Sequence, residues 1–267
     1  RFDDRATGKL ETFAPEAKLI HIDIDPTSIR KNVNVDIPIV ADCRRALQAL
    51  RNELTPVLQN EKLADNFASW RERVKGWSNE NPLTYKPSET TIKPQQVVEK
   101  LYDLTQGEAI ITTEVGQNQM WAAQHYLYHK PRSWISSGGL GTMGYGFPAA
   151  IGAQIAYPDK LVIDIAGDGS IQMNIQELAT AVCYGLPVKI IILNNNFLGM
   201  VRQWQDLFYD KNYCATCLDK GPDFVKLAQA YGAEGYFLDR PEDMDDVLTK
   251  AINSKNTVIV EVAVEKE

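Results

Sequence analysis

Apolar and polar positions fall into blocks along this chain, and the period changes from block to block. LVIDIA (161–166), VKIIIL (188–193) and TVIVEVAV (257–264) are short, nearly continuous apolar runs rich in β-branched residues. Runs of that length and composition predict strands covered on both faces. Residues 109–116 and SWISS (133–137) predict two more strands. Between them lie stretches with apolar residues at helical spacing: 94–106, 117–129, 147–157, 175–185, 222–232 and 241–254. Proline opens or nearly opens several of these, and Gly185 and Gly232 stand where helices stop. Strands separated by helices predict an α/β fold built on a doubly wound parallel sheet. The first 54 residues predict the tail of a second α/β domain. Its strands are KLIHIDID (18–25) and DIPIVAD (36–42), and its helix runs over 41–54 from an Asp42 cap. Residues 55–92 are polar and irregular in pattern, and 77–94 are rich in Pro, Ser, Thr and Asn. The division read from the sequence is therefore a domain over 1–54, a linker over 55–92 and a domain over 93–267.

Composition narrows the class of function. The net charge is −7, with no cluster of Lys and Arg interleaved with aromatics, which argues against nucleic acid as a partner. There is no run of 18 apolar residues for a membrane span and no signal peptide pattern. The chain begins at Arg1, in charged sequence, and reads as a piece of a longer protein. Four cysteines are too few for a disulfide scaffold of this size and point to a reducing compartment. Cys214 and Cys217 have CxxC spacing, but no second pair completes a zinc set, so a surface loop is the better reading. His125 and His129 lie four apart without the intervening glutamate of a zinc protease, and read as a polar helix face.

The chemistry concentrates at two strand ends. Gly167-Asp168-Gly169 follows LVIDIA, and Asn194-Asn195 follows VKIIIL. Open parallel sheets bind ligands at the carboxyl ends of their strands. An Asp and an Asn converging there suit Mg²⁺, a hard cation that commonly bridges to phosphates, and tight glycines let backbone N–H groups approach those phosphates. Gly139-Leu-Gly141-Thr-Met-Gly144 matches the dinucleotide fingerprint, with Asp164 at 20 residues' distance. Asp164, however, lies inside its strand and not at the strand's end, which weighs against a nicotinamide site.

These residues bring a family into view. GDGSIQMNIQELATA and LPVKIIILNNNFLGMVRQWQ resemble the diphosphate-binding domain of thiamine diphosphate enzymes. Together with RFDDRATGKLETFAPEAKLIHIDID, GQNQMWAAQ and SGGLGTMGYGFPAAIGA, the resemblance narrows to the catalytic subunit of acetohydroxyacid (acetolactate) synthases. It covers nearly the whole chain. It implies thiamine diphosphate, Mg²⁺ and FAD as cofactors, and an enzyme condensing pyruvate with pyruvate or 2-ketobutyrate in branched-chain amino-acid biosynthesis. By resemblance, Asp168, Asn195 and the carbonyl of Phe197 bind the metal. Gly169, Ser170, Gln117 and Asn118 hold the diphosphate, Asn118 standing where many members have His. Gly141 and Met143 contact the aminopyrimidine, and Thr142, Asn196, Leu198, Gly199 and Met200 complete the cofactor set. Met200, Trp204, Asp4 and Arg5 contact substrates, and Asp23, Ile24, Asp42 and Cys43 contact FAD. The activating glutamate belongs to a domain not among these residues, so no catalytic residue is assigned here and the chain alone is expected to be inert. A homodimer or tetramer, a small regulatory subunit, and a location in the cytoplasm, or in a plastid for a plant or alga, are further implications. Two alternatives stay open: a non-catalytic cofactor-binding module of a split enzyme, and another thiamine diphosphate-dependent decarboxylase or carboligase.

Overall fold

A computed structural model describes residues 2–60 and 66–266, except for the side chains of Arg5 and Asn60. The chain divides into two compact units, residues 1–82 and 83–267.

The larger unit is built on six parallel strands: β3 (Ile110–Thr113), β4 (Trp134–Ser136), β5 (Val162–Gly167), β6 (Lys189–Asn194), β7 (Glu234–Leu238) and β8 (Val258–Ala263). They lie in the order β4-β3-β5-β6-β8-β7. Period-two alternation sorts their side chains into two cores. Ile111, Ile163, Ile165, Ile191, Val260 and Val262 face one side. Helices α4 (Pro94–Thr105), α5 (Gln117–His125) and α10 (Met244–Asn253) cover that side with Leu101, Trp121 and Leu248. Val162, Ala166, Ile190, Ile192 and Ile259 face the other. There α6 (Gly146–Ala156), α7 (Leu178–Cys183) and α9 (Phe224–Ala230) pack through Phe147, Ala181 and Phe224. This is the doubly wound sheet that the apolar runs predict.

Local signals fix the helix ends. Pro94 occupies the first position of α4, and Gln96 reaches back to the Lys93 N–H at 2.9 Å. Gly232 turns left-handed after α9 (φ +84°), and the Ala233 N–H closes on the Ala228 carbonyl at 2.9 Å.

Several segments depart from the sequence reading. The helix expected over 117–129 stops at His125, because Tyr126 turns extended and buries its ring, with its hydroxyl 2.7 Å from Thr105 Oγ1. The helix expected over 175–185 begins as a 3-10 turn, Ile175–Glu177, before α7. Strand β7 and helix α8 (Gly199–Phe208) were absent from that reading. β7 is an edge strand containing Gly235 and is mostly half-buried, so it lacks the continuous apolar run of its neighbours.

In the smaller unit, β1 (Ile20–Asp23) pairs parallel with β2 (Ile37–Val40), and Asp23 lies opposite Val40. A short helix α1 (Asp4–Thr7) is capped by Asp3. The stretch read as irregular is helical over much of its length. α2 (Cys43–Asn60) continues through Pro56, and α3 (Ala68–Glu80) follows. Their many charged residues are strong helix formers on exposed faces, so polarity there does not mean irregularity. Among the described residues, no helix is long and apolar enough to cross a membrane.

Candidate functional site

The strand order reverses direction between β3 and β5. From β3 the chain crosses to β4 on one side, and from β5 to β6 on the other, so the loops leaving their carboxyl ends part and leave a crevice. The carboxyl ends of β3, β5 and β6, with the loops and helix starts that follow them, supply most of its lining. Val115, Gly116, Gln117, Asn118 and Trp121 come from the first. Gly167, Asp168, Gly169 and Ser170 come from the second, and Asn195, Phe197, Leu198, Gly199, Met200 and Val201 from the third. Gly141, Met143 and Leu193 complete it.

The polar groups in this crevice are oxygen donors and backbone N–H groups. Asp168 is almost wholly buried, and burial pushes its carboxyl up to about 7. The N–H groups of Asp168 itself, Gly169 and Asn196 act in the opposite direction, and the Glu261 carboxylate adds a smaller upward push. Asn195 Oδ1 accepts from the Phe197 N–H at 3.0 Å, and its amide nitrogen donates to Gln117 Oε1 at 3.3 Å. Gln117 also donates to Gln203 Oε1 at 3.3 Å, so one side chain ties α5 to the loop after β6 and to α8. A buried carboxylate beside an amide oxygen and peptide carbonyls is the donor chemistry of Mg²⁺, which needs only one or two protein carboxylates when phosphates share its shell.

Close approach is built into the glycines. A Cβ on Gly199 would lie 2.1 Å from Gln117 Oε1 and 2.9 Å from Asn195 Nδ2. One on Gly169 would lie 2.6 Å from Leu198 Cδ2. Both line the crevice, and at each the missing side chain lets a neighbour pack directly against the backbone.

Most of the cofactor residues expected from the sequence line this crevice; Thr142 and Asn196 do not, and neither does Trp204, expected to contact substrate. Thr142 lies outside the lining, its N–H held by Ser137 Oγ at 3.0 Å. Asn196 is left-handed (φ +59°) and lines a second cavity with Asn194, Asp219, Asp223 and Glu261, while its N–H donates to Asn194 Oδ1 at 3.0 Å. Trp204 is 60% exposed, one turn beyond Met200 on α8, with its ring edge-on to Phe208. Asn118 lines the crevice, but its amide donates to the carbonyls of Glu114 (3.1 Å) and Ile165 (2.9 Å). Its expected donation to phosphate gives way to a role in bracing the ends of β3 and β5.

The sequence reading passed over Val115, Gly116, Trp121, Leu193 and Val201 in the lining, and Glu114 behind it. Glu114 is fully buried and accepts from the N–H groups of Gly144 (2.5 Å) and Phe147 (3.0 Å). A charged residue ending an apolar strand was the one available signal.

In the smaller unit, the parallel pairing sets Asp23 opposite Val40, so Ile24 follows the carboxyl end of β1, and Asp42 and Cys43 follow that of β2. Asp23 lines a cavity with Phe2, Asp3, His21, Arg30 and Asn32, whereas Ile24, Asp42 and Cys43 do not. Asp42 caps α2 through the Arg45 N–H at 3.0 Å, and Ile24 and Cys43 are exposed. Asp4 begins α1, and the side chain of Arg5 lies outside the described atoms.

Residues 114–262, more than half of the chain, match the family described as "Thiamine pyrophosphate enzyme, C-terminal TPP binding domain". The chain belongs to the thiamine pyrophosphate enzymes. Residues 1–50 match that family's central domain. The crevice between β3 and β5 thus lies within a thiamine pyrophosphate-binding domain. The acetolactate synthase large subunit of Haemophilus influenzae is 49% identical over 97% of this chain and 45% of its own length. The isozyme 3 large subunit of Escherichia coli is 46% identical over 99% of this chain and 46% of its own length. The chain therefore spans less than half the length of these curated relatives.

Proposed function

We propose that this chain is the thiamine diphosphate- and Mg²⁺-binding part of an acetolactate synthase large subunit, a transferase. The whole enzyme takes a two-carbon unit from pyruvate and joins it to pyruvate or 2-ketobutyrate, giving 2-acetolactate or 2-aceto-2-hydroxybutyrate for branched-chain amino-acid biosynthesis. The observation that carries this reading is the crevice at the β3/β5 switch point, with Asp168 and Asn195 facing it, in a chain whose curated relatives share one activity in their names.

When bound, thiamine diphosphate supplies the electron sink that decarboxylation of a 2-keto acid requires. The residues of this chain position it. Asp168, Asn195 and the carbonyl of Phe197 hold Mg²⁺. Gly169, Ser170 and Gln117 hold the diphosphate, and Gly141 and Met143 contact the aminopyrimidine. Leu193 and Trp121 give the crevice a dry wall. FAD is held at the β1 and β2 ends by Asp23, Ile24, Asp42 and Cys43. Residues 1–54 are the tail of the FAD-contacting domain, 55–92 the connection and 93–267 the cofactor domain. The activating glutamate belongs to another part of the subunit, so these residues alone are expected not to turn over. The active enzyme is a homo-oligomer with a small regulatory subunit, in the cytoplasm or a plastid.

Product analysis on the complete subunit tests this. With pyruvate, Mg²⁺, thiamine diphosphate and FAD the expected product is acetolactate, shifting to acetohydroxybutyrate when 2-ketobutyrate is added. Acetaldehyde alone would move the protein to the decarboxylases. Trp204 and Met200 are assigned to the acceptor pocket, and Asp4 and Arg5 to substrate contact. The two acceptors differ by one methylene, which an apolar pocket discriminates by roughly 10- to 200-fold. Trp204→Ala is expected to cut the preference for 2-ketobutyrate by about 10-fold in a mixed-substrate assay. An unchanged product ratio would remove Trp204 from that pocket.

A further inference from the structure

Behind the crevice lies a buried pair of carboxyl groups that the cofactor site as described does not use. Glu114 follows β3 and Asp164 lies within β5, and neither has any exposed surface. The alternation of β5 puts Asp164 on the face covered by α6, where Gly146 opens the helix. A Cβ built on Gly146 would lie 2.4 Å from Asp164 Oδ1 and 2.4 Å from the Glu114 nitrogen, so both residues abut one glycine. Glu114 is well supplied with donors. Its carboxyl takes the N–H groups of Gly144 and Phe147, with those of Tyr145 and Gly146 also turned to it. Asp164 is poorly supplied: Thr112 Oγ1 donates to Oδ1 at 3.0 Å, and Oδ2 has no partner. The charged group acting on Asp164 is Glu114 itself.

Two anions in one dry site repel each other, and the one with fewer donors takes the proton. The positive end of α6 and its four N–H groups favour the charge on Glu114. Burial pushes the Glu114 carboxyl up and its four N–H donors pull against that, whereas burial and the neighbouring Glu114 push the Asp164 carboxyl well above the usual range against one hydroxyl donor.

We propose that Glu114 is a positioning residue of the cofactor pocket: as a carboxylate it gathers the backbone N–H groups of residues 144–147 and fixes the loop that carries Gly141 and Met143, while Asp164 is its neutral, protonated partner. Gly144 is left-handed (φ +87°), its N–H is held by Glu114 and its carbonyl by Asn174 at 2.6 Å. Without Glu114, the bond from Asn174 would be left to hold Gly144, directly after Met143. The positioning role rests on the reading that this crevice takes thiamine diphosphate; the protonation of the pair does not.

The test uses the complete subunit with Asp164→Asn and Glu114→Gln. Asparagine copies a neutral carboxylic acid, so Asp164→Asn is expected to bind thiamine diphosphate within about 2-fold of the parent protein. Glutamine presents an NH₂ group to four N–H donors, and leaving buried donors unmet is expected to weaken binding roughly 10- to 100-fold. At neutral pH the infrared spectrum of the parent is expected to show a buried carboxylic acid band that disappears in Asp164→Asn. Stability gives a third readout. The folded state keeps a proton on Asp164 that the unfolded chain releases above about pH 4. Unfolding therefore releases that proton, and stability falls as pH rises toward the elevated folded value. Asp164→Asn is expected to flatten that decline.

Equal weakening of binding by both variants would overturn the division of roles, and absence of the band would overturn the protonated Asp164. A parent protein that fails to bind thiamine diphosphate would overturn the cofactor reading and the positioning role with it. The band and the pH slope would still report on the pair.

Discussion

Asp168→Ala is expected to weaken Mg²⁺-dependent thiamine diphosphate binding by more than about 100-fold in the complete subunit. Changes to groups that merely orient a metal ligand cost about 10- to 100-fold, so loss of a charged ligand should exceed that range. Asp168 is the carboxylate in the lining of the crevice; the other protein donors assigned to the metal are an amide oxygen and a peptide carbonyl. Burial drives the Asp168 carboxyl up to about 7, and the three N–H groups aimed at it do not offset that cost. A divalent cation would, because a bound ion inverts the local preference for the neutral form. Asp168→Asn keeps the shape and removes the charge, and should fall between the parent and the alanine variant. Titration of thiamine diphosphate at saturating Mg²⁺, followed by tryptophan fluorescence, measures all three. Parent-like affinity in Asp168→Ala would strike it from the ligand set.

The parts of this fold that the sequence announced are those whose cause is local. LVIDIA, VKIIIL and TVIVEVAV read as buried strands because both faces of β5, β6 and β8 are covered by helices. Asp168 and Asn195 were legible because each follows such a run directly. Asn194 was read as a pair with Asn195, yet its amide turns to Glu261 Oε1 at 2.8 Å on β8, a partner 67 positions away. β7 was illegible because an edge strand needs no continuous apolar run. Asp164 is the clearest case of a pattern with another meaning. Its spacing from Gly139-Leu-Gly141-Thr-Met-Gly144 imitates a ribose-binding acid, yet α6 lies over it and leaves it no exposed surface. The glycines of that motif serve the loop instead, with Gly141 and Gly144 both left-handed. Glu114 could not be assigned from sequence, because its role depends on four N–H groups about 30 residues downstream that only the tertiary fold delivers.

Gly146→Ala should lower stability by about 3 kcal/mol or more, whereas Gly152→Ala six residues along the same helix should leave it unchanged or raise it. Both replace glycine by alanine in α6, where alanine is favoured by about 1 kcal/mol on backbone entropy. What differs is the space. A Cβ at Gly152 meets nothing within 4 Å. A Cβ at Gly146 meets Asp164 Oδ1 at 2.4 Å, the Glu114 nitrogen at 2.4 Å and the Thr113 carbonyl carbon at 2.5 Å. Two of those three are backbone atoms at the end of β3, and they cannot turn aside as a side chain can. The helix or the strand end must shift, and overpacking a dense core costs about 1–3 kcal/mol, more when backbone moves. For domains of this size, 3 kcal/mol corresponds to a drop in Tm of roughly 6–12 °C. Thermal melts of the two variants side by side separate packing from propensity, because the propensity gain is common to both. A Gly146→Ala protein melting within a degree of the parent would mean that α6 can stand off from β3, and would remove the tight contact on which the placement of Glu114 and Asp164 depends.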